Sequence, residues 1–205
     1  MEPAPRDTGW IEVITGCMFS GKTEELIRRL RRAMYARQRV VVFKPRLDDR
    51  YSDASIGSHS GQQVRSIRID HPRQIRQYVS DAQVVAIDEA QFLGAEVVEV
   101  CEALANEGRR VIVAGLDMDF RGVPFEPMPQ LLAVAEYITK HLAICTVCGN
   151  PADRSQRLVE SGDRVLVGAS DLYEARCRRH WSADPFAARQ QALPLGPNLA
   201  DLVDT

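Results

Sequence analysis

Lysine is nearly missing from this chain. Only three of its 26 basic side chains are lysine, an imbalance that carries no functional meaning by itself. Aromatic residues make up 6% of the whole, too few and too scattered for a basic groove interleaved with stacking platforms for single-stranded nucleic acid. Excess charge of one sign is missing too. The formal net charge is −2, which argues against a nucleic-acid or other polyanion binder working through bulk charge. No apolar run approaches the ~20 residues a membrane-spanning helix needs, so no membrane partner is expected. Met1 to Gly9 is polar and has no apolar signal core, and a cytoplasmic location is the expectation. The five cysteines are then expected to be reduced or metal-bound. The length of 205 residues suits one large domain, or a domain with a small appendage.

What is present is concentrated between residues 11 and 38. Ile11-Glu12-Val13-Ile14 reads as a short buried strand. Gly16-Cys17-Met18-Phe19-Ser20-Gly21-Lys22-Thr23 follows and fits the phosphate-binding pattern G-x-x-x-x-G-K-S/T. Glu24 to Gln38 then reads as a helix, with Leu26, Ile27, Leu30, Ala33 and Met34 on one face. The two glycines let the backbone turn and approach phosphate oxygens. Successive N–H groups in front of a helix N-terminus form an anion cradle. Lys22 is placed to reach the β- and γ-phosphates of a nucleoside triphosphate, and the Thr23 hydroxyl to ligate Mg²⁺.

Strands are expected at Val40–Phe43, Val64–Ile69, Val84–Ile87 and Val111–Ala114, and helices at Pro72–Val79, Val97–Asn106 and Pro129–Glu136. The polar stretch from Lys44 through Arg50 to Gly61 is expected to be a loop over a site. Val84–Ile87 runs into Asp88-Glu89-Ala90-Gln91-Phe92, and an apolar strand ending in Asp is the pattern that holds Mg²⁺ beside a phosphate loop. Glu89 would then point into the site. Cys101 is expected as a small core residue. Alternating strands and helices imply an α/β fold, a largely parallel sheet covered by helices, with the site beyond the carboxyl ends of the strands.

The pattern changes after Ile138. Cys145-Thr146-Val147-Cys148 is C-x₂-C and Cys177-Arg178-Arg179-His180 is C-x₂-H. Gln156 to Val167, between them, reads as a β-hairpin turning near Ser161–Asp163. The paired spacing fits a closed, structural Cys₃His zinc site, and a redox C-x-x-C is the rival. Trp181 to Thr205, rich in Ala, Pro, Leu and Gln, reads as a disordered tail.

Four strings together are specific: the phosphate loop, Asp88–Phe92, Gly115-Leu116-Asp117-Met118-Asp119-Phe120 and Tyr173-Glu174-Ala175-Arg176-Cys177. They resemble the cytosolic, zinc-containing (type II) thymidine kinases over residues 9–181. The resemblance implies a RecA-like P-loop core over residues 9–140, a zinc-stapled lasso domain over 141–181 and a tail over 182–205. It implies transfer of the ATP γ-phosphate to the 5′-hydroxyl of thymidine. It also implies a homotetramer and feedback inhibition by thymidine triphosphate.

Residue by residue, Glu89 matches the general base, and Asp88 and Thr23 the Mg²⁺ positions. Lys22 and Arg50 match the groups that stabilise the transferring phosphoryl. Gly16 to Thr23 with Asp88, Glu89, Ala90 and Gln91 match the ATP and Mg²⁺ contacts. Met18, Phe92, Leu116, Phe120, Phe125 and Tyr173 match the thymine pocket. Arg164, Val165, Leu166, Val167 and Gly168 match the segment whose backbone reads the base edge. Two positions depart. Ala90 follows the bacterial form where vertebrate members carry Gly, and Ser155 replaces the Thr usually beside the thymine 5-methyl. The competing class is a RecA-like ATPase acting on nucleic acid through a zinc ribbon, in which Glu89 would activate water.

Overall fold

The computed structural model describes residues 8–46, 55–57, 63–161, 163, 166 and 171–184. Its centre is a six-stranded sheet built from β1 (Trp10–Gly16), β2 (Val40–Pro45), β5 (Ile67–Ile69), β6 (Val84–Ile87), β7 (Arg110–Gly115) and β8 (Tyr137–His141). The strand order is β5-β2-β6-β7-β1-β8, and every pairing in it is parallel.

A parallel sheet buried on both faces needs apolar residues at consecutive positions, and these strands supply them. On β7, Val111 and Val113 face one side and Ile112 and Ala114 the other. On β6, Val85 and Ile87 alternate in the same way with Val84 and Ala86. Helix α1 (Lys22–Tyr35) covers one face with Leu26, Ile27, Leu30 and Ala33. Helices α2 (Glu96–Asn106) and α3 (Met128–Val134), with a 3-10 helix at Pro72–Tyr78, cover the other through Val97, Cys101, Leu104, Met128, Leu131 and Ile75. Cys101 is a core residue as expected, and burial pushes its thiol up to about 12.

The phosphate-loop strand β1 and the Asp-Glu strand β6 are not neighbours, because β7 lies between them. The carboxyl ends of all three strands therefore meet at one edge of the sheet.

Several sequence expectations shift. Val64–Ile69 splits in two. β4 (Gln63–Arg65) pairs antiparallel with β3 (Ser55–Gly57), whereas β5 joins the main sheet. β2 runs on through the fully buried Lys44 to Pro45, so the loop expected from Lys44 starts later. The expected hairpin over Gln156–Val167 is corrected. β11 (Arg154–Arg157) pairs antiparallel with β12 (Tyr173–Arg176), with Ser155 opposite Ala175. Alternation marks a strand without marking its partner, and here the partner is the strand that leads into the second zinc pair. β9 (Ala143–Ile144) and β10 (Pro151–Ala152) form a further small antiparallel pair. Residues 185–205, read from the sequence as a tail, lie outside the described residues.

Candidate active site

The loop between β1 and α1 is shaped by glycine at its start. Gly16 has φ +141°, and a Cβ there would lie 2.3 Å from the His141 carbonyl oxygen and 2.9 Å from Ser20 Oγ. Phe19 (φ 64°) and Gly21 (φ 82°) are also left-handed, which curls the loop before the helix begins. Inside the curl, Ser20 Oγ and Lys22 Nζ each donate to the Cys17 carbonyl at 2.8 Å. Burial pulls the Lys22 ammonium below its ordinary value, and the charges of Glu89, Cys17, Asp88 and Asp117 oppose that pull. Lys140 Nζ meets Asp117 Oδ2 at 2.7 Å, so the carboxyl ends of β7 and β8 are bridged across β1.

The end of β6 faces this loop. Thr23 Oγ1 donates to Asp88 Oδ2 at 3.4 Å, and the Glu89 N–H to Asp88 Oδ1 at 3.0 Å. Glu89 is left-handed, with φ 52° and ψ 42°. A non-glycine residue in that region is strained, and such strain gathers at functional sites. Beyond it, buried Gln91 donates from Nε2 to Glu89 Oε2 at 2.5 Å and accepts the Leu116 N–H on Oε1 at 3.0 Å. Ala90 is fully buried and joins the main core.

The other expected residues fall in three groupings. Phe92 and Phe125 meet edge to face, with centroids 5.9 Å apart. Phe120 and Tyr173 are joined by Arg157, whose guanidinium lies 3.6 Å from the Phe120 ring centroid and donates to the Tyr173 hydroxyl at 2.8 Å. Met18 donates its backbone N–H to Ser155 Oγ at 3.0 Å. Ser155 is buried, so a solvent-facing hairpin position is excluded. Of the expected base-edge segment, Leu166 is described and half-buried. Arg164, Val165, Val167, Gly168 and Arg50 lie outside the described residues.

Sequence reasoning missed Arg157. Its side chain is among the largest fully buried ones, and an arginine between Gln156 and Leu158 at the end of a short strand gives no hint of that. It missed Trp181 as well, whose indole N–H donates to the Phe120 carbonyl at 3.1 Å.

The two Cys/His pairs meet. Cys145 Sγ and Cys177 Sγ lie 3.7 and 3.3 Å from His180 Nδ1, and Cys148 Sγ lies 3.8 Å from Cys177 Sγ. All four ligand atoms fall within 4.8 Å of one another. A zinc tetrahedron with Zn–S bonds of ~2.3 Å has sulfur–sulfur edges of ~3.8 Å, so the donor set fits zinc. All five cysteines are free thiols. Burial alone would raise the Cys145 thiol. Backbone N–H groups of Cys177, Val147 and Cys148, with His180, outweigh it and hold the thiol at about 5. At Cys148 the Asn150 backbone N–H is outweighed by burial and the neighbouring Cys145 and Cys177 sulfurs, which push the thiol up. Cys17 and Phe19 of the phosphate loop pack into the cluster of Ala143, Cys145, Ala152, Ala175 and Cys177, so the zinc lobe and the loop share a core.

A curled glycine loop at the end of a parallel strand, with an Asp-Glu strand end facing its lysine and threonine, defines a nucleotide-binding α/β protein of the P-loop class. A family model described as thymidine kinase matches residues 9–181. A thymidine kinase from Rhodothermus sp. (strain ITI 518) is 61% identical over 171 residues, covering 83% of this chain and 80% of its own length. The chain belongs to the thymidine kinase family and is a kinase.

Proposed function

We infer that this chain transfers the γ-phosphate of ATP to the 5′-hydroxyl of thymidine, giving thymidine monophosphate for nucleotide salvage. The observation that carries it is the convergence of Lys22, Thr23, Asp88 and Glu89 at one edge of the sheet, in a chain of this family. Glu89 accepts the proton of the 5′-hydroxyl as the oxygen attacks. The N–H groups of Gly16 to Thr23 hold the phosphates of ATP. Lys22, with Arg50, offsets charge on the phosphoryl group in flight. The Thr23 hydroxyl and the Asp88 carboxylate are hard oxygen donors close enough to share one cation, which suits Mg²⁺. When bound, that ion neutralises phosphate charge.

Thymine lies among Met18, Phe92, Leu116, Phe120, Phe125 and Tyr173, with Ser155 near the 5-methyl and backbone of 164–168 on the base edge. The half-buried Met18 beside Ser155, and Tyr173 beside Phe120, support that assignment. Zinc held by Cys145, Cys148, Cys177 and His180 is structural, because four protein ligands close its shell.

The division into a kinase core at 9–140, a lasso at 141–181 and a tail at 182–205 belongs to this proposal. So do a homotetramer and feedback inhibition by thymidine triphosphate. Exposed Ile138, Leu142 and Ile144 along and beyond edge strand β8 support contact between copies. Free thiols support a cytoplasmic location. Among the described residues no helix is long and apolar enough to cross a membrane.

The test is ATP consumption with thymidine, with DNA or RNA, and with neither. Turnover that needs thymidine supports the proposal, and turnover driven by nucleic acid overturns it. Glu89→Gln keeps the shape but cannot take the proton. It should lose ~10²–10⁴ in kcat and keep ATP binding. Turnover within about threefold of wild type would show that Glu89 is not the base.

A further inference from the structure

One side chain joins the reactive end of the site to the loop that follows β7. Gln91 is 4% exposed, on the short 3-10 turn Ala90–Phe92. Its amide bonds Glu89 Oε2 on one side and the Leu116 N–H on the other. The orientation of that amide is forced. A backbone N–H only donates, so the amide oxygen faces Leu116 and the NH₂ group faces the carboxylate. Gly115 makes the approach possible, since a Cβ there would lie 2.8 Å from Gln91 Oε1 and 2.6 Å from Met128 Sδ.

We propose that Gln91 is a positioning residue for phosphoryl transfer: its amide aims the Glu89 carboxylate and anchors that aim to the Leu116 backbone. The proposal rests on Glu89 being the base. It differs from the direct nucleotide contact expected from the place of Gln91 in the Asp-Glu-Ala-Gln run. A carboxylate on a left-handed residue at a strand end has a strained backbone, and a neutral donor at 2.5 Å gives its side chain a direction.

The tie to Leu116 gives the arrangement a second use. Any movement of the 116–125 loop, which carries proposed thymine contacts, is transmitted through one amide to the base.

The experiment measures kcat and KM for thymidine and for ATP at one neutral pH, on the full chain with its zinc, for wild type, Gln91→Leu, Gln91→Glu, Glu89→Gln and the double variant Glu89→Gln/Gln91→Leu. Gln91→Leu removes donor and acceptor. It should lower kcat roughly 10- to 100-fold and leave the KM for ATP within about twofold. In the Glu89→Gln background the same change should cost less than about threefold further, because a residue that acts through the carboxylate has nothing left to aim. Gln91→Glu keeps an acceptor for Leu116 and removes the donor to Glu89, so it should lose about as much as Gln91→Leu. Melting temperature and zinc content check the fold, and if Gln91→Leu does not fold, Gln91→Glu takes its place in both backgrounds.

If Glu89→Gln has lost its ~10² or more while Gln91→Leu costs as much in that background as in wild type, Gln91 is only packing and the proposal is overturned. If Glu89→Gln keeps near wild-type turnover, the base assignment itself fails, and the positioning role with it.

Discussion

Ser155 shows how much a single hydroxyl decides. Its Oγ accepts the Met18 N–H inside a buried environment, so it holds the phosphate loop against β11. Ser155→Ala leaves that N–H without its partner and should cost about 1–3 kcal/mol, read from a urea midpoint. Ser155→Thr keeps the oxygen and adds one methyl. That change should leave stability nearly unaltered and shift the preference between thymidine and a 5-ethyl analogue by roughly 10-fold. An unchanged kcat/KM ratio would mean that the side chain serves the loop and not the base. That position 155 carries Ser where the resembled family usually has Thr was legible in the sequence. Its bond to Met18 was not, because 137 residues separate the two.

At the scale of elements, β1, α1, β7 and β8 are pinned together by one acid. Glu12, buried on β1, accepts from Trp10 Nε1 at 2.7 Å, Arg110 Nε at 2.6 Å and Arg29 Nη1 at 2.7 Å. Arg29 also reaches Thr139 on β8 at 2.8 Å. Burial would raise the Glu12 carboxyl, and the Arg110, Trp10 and Arg29 contacts more than offset it, so the carboxyl sits below its usual 4.5.

A depressed carboxylate stabilises the fold above its unfolded value, and that stabilisation is lost as pH falls through the folded value. Glu25, held at about 2 first by Arg28 and also by Arg29 against burial, acts in the same direction. Glu12→Gln should cost about 3 kcal/mol at neutral pH, because two guanidinium groups lose their carboxylate. The gap between wild type and variant should close as pH falls below 4.5 in parallel melts. A gap that stays constant with pH would mean the cluster acts by packing and not by charge.

For the whole molecule, Cys145 and Cys177 of the Cys/His cluster sit in the same apolar cluster as Cys17 and Phe19 of the phosphate loop. Trp181, next to His180, donates to the Phe120 carbonyl. A zinc ion held there would therefore brace the phosphate loop and the Phe120 segment together. Cys177→Ser should drop zinc from one ion per chain to none by elemental analysis. The KM values for thymidine and for ATP should rise together, since the loop loses its packing when the lobe loosens. Zinc absent from the wild-type protein would refute the site, and an unchanged ATP KM in the variant would refute the coupling to the loop.

The sequence by itself determined the parallel α/β class, the phosphate loop, the Asp88-Glu89 strand end and the clustered Cys/His pairs. Each is a local pattern. Both-face burial makes continuous apolar strands, and a phosphate cradle or a Cys/His pair needs its residues within a few positions of one another. Only the tertiary structure decided that β7 stands between the loop and the Asp-Glu strand, and that β11 pairs with β12 and not with its nearer neighbour. It alone buried Arg157 between Phe120 and Tyr173, and turned Gln91 between Glu89 and Leu116. Those outcomes join residues far apart along the chain. Alternation and composition carry no term for which distant group will meet a hydrogen-bond donor, so they become fixed only once the layers pack.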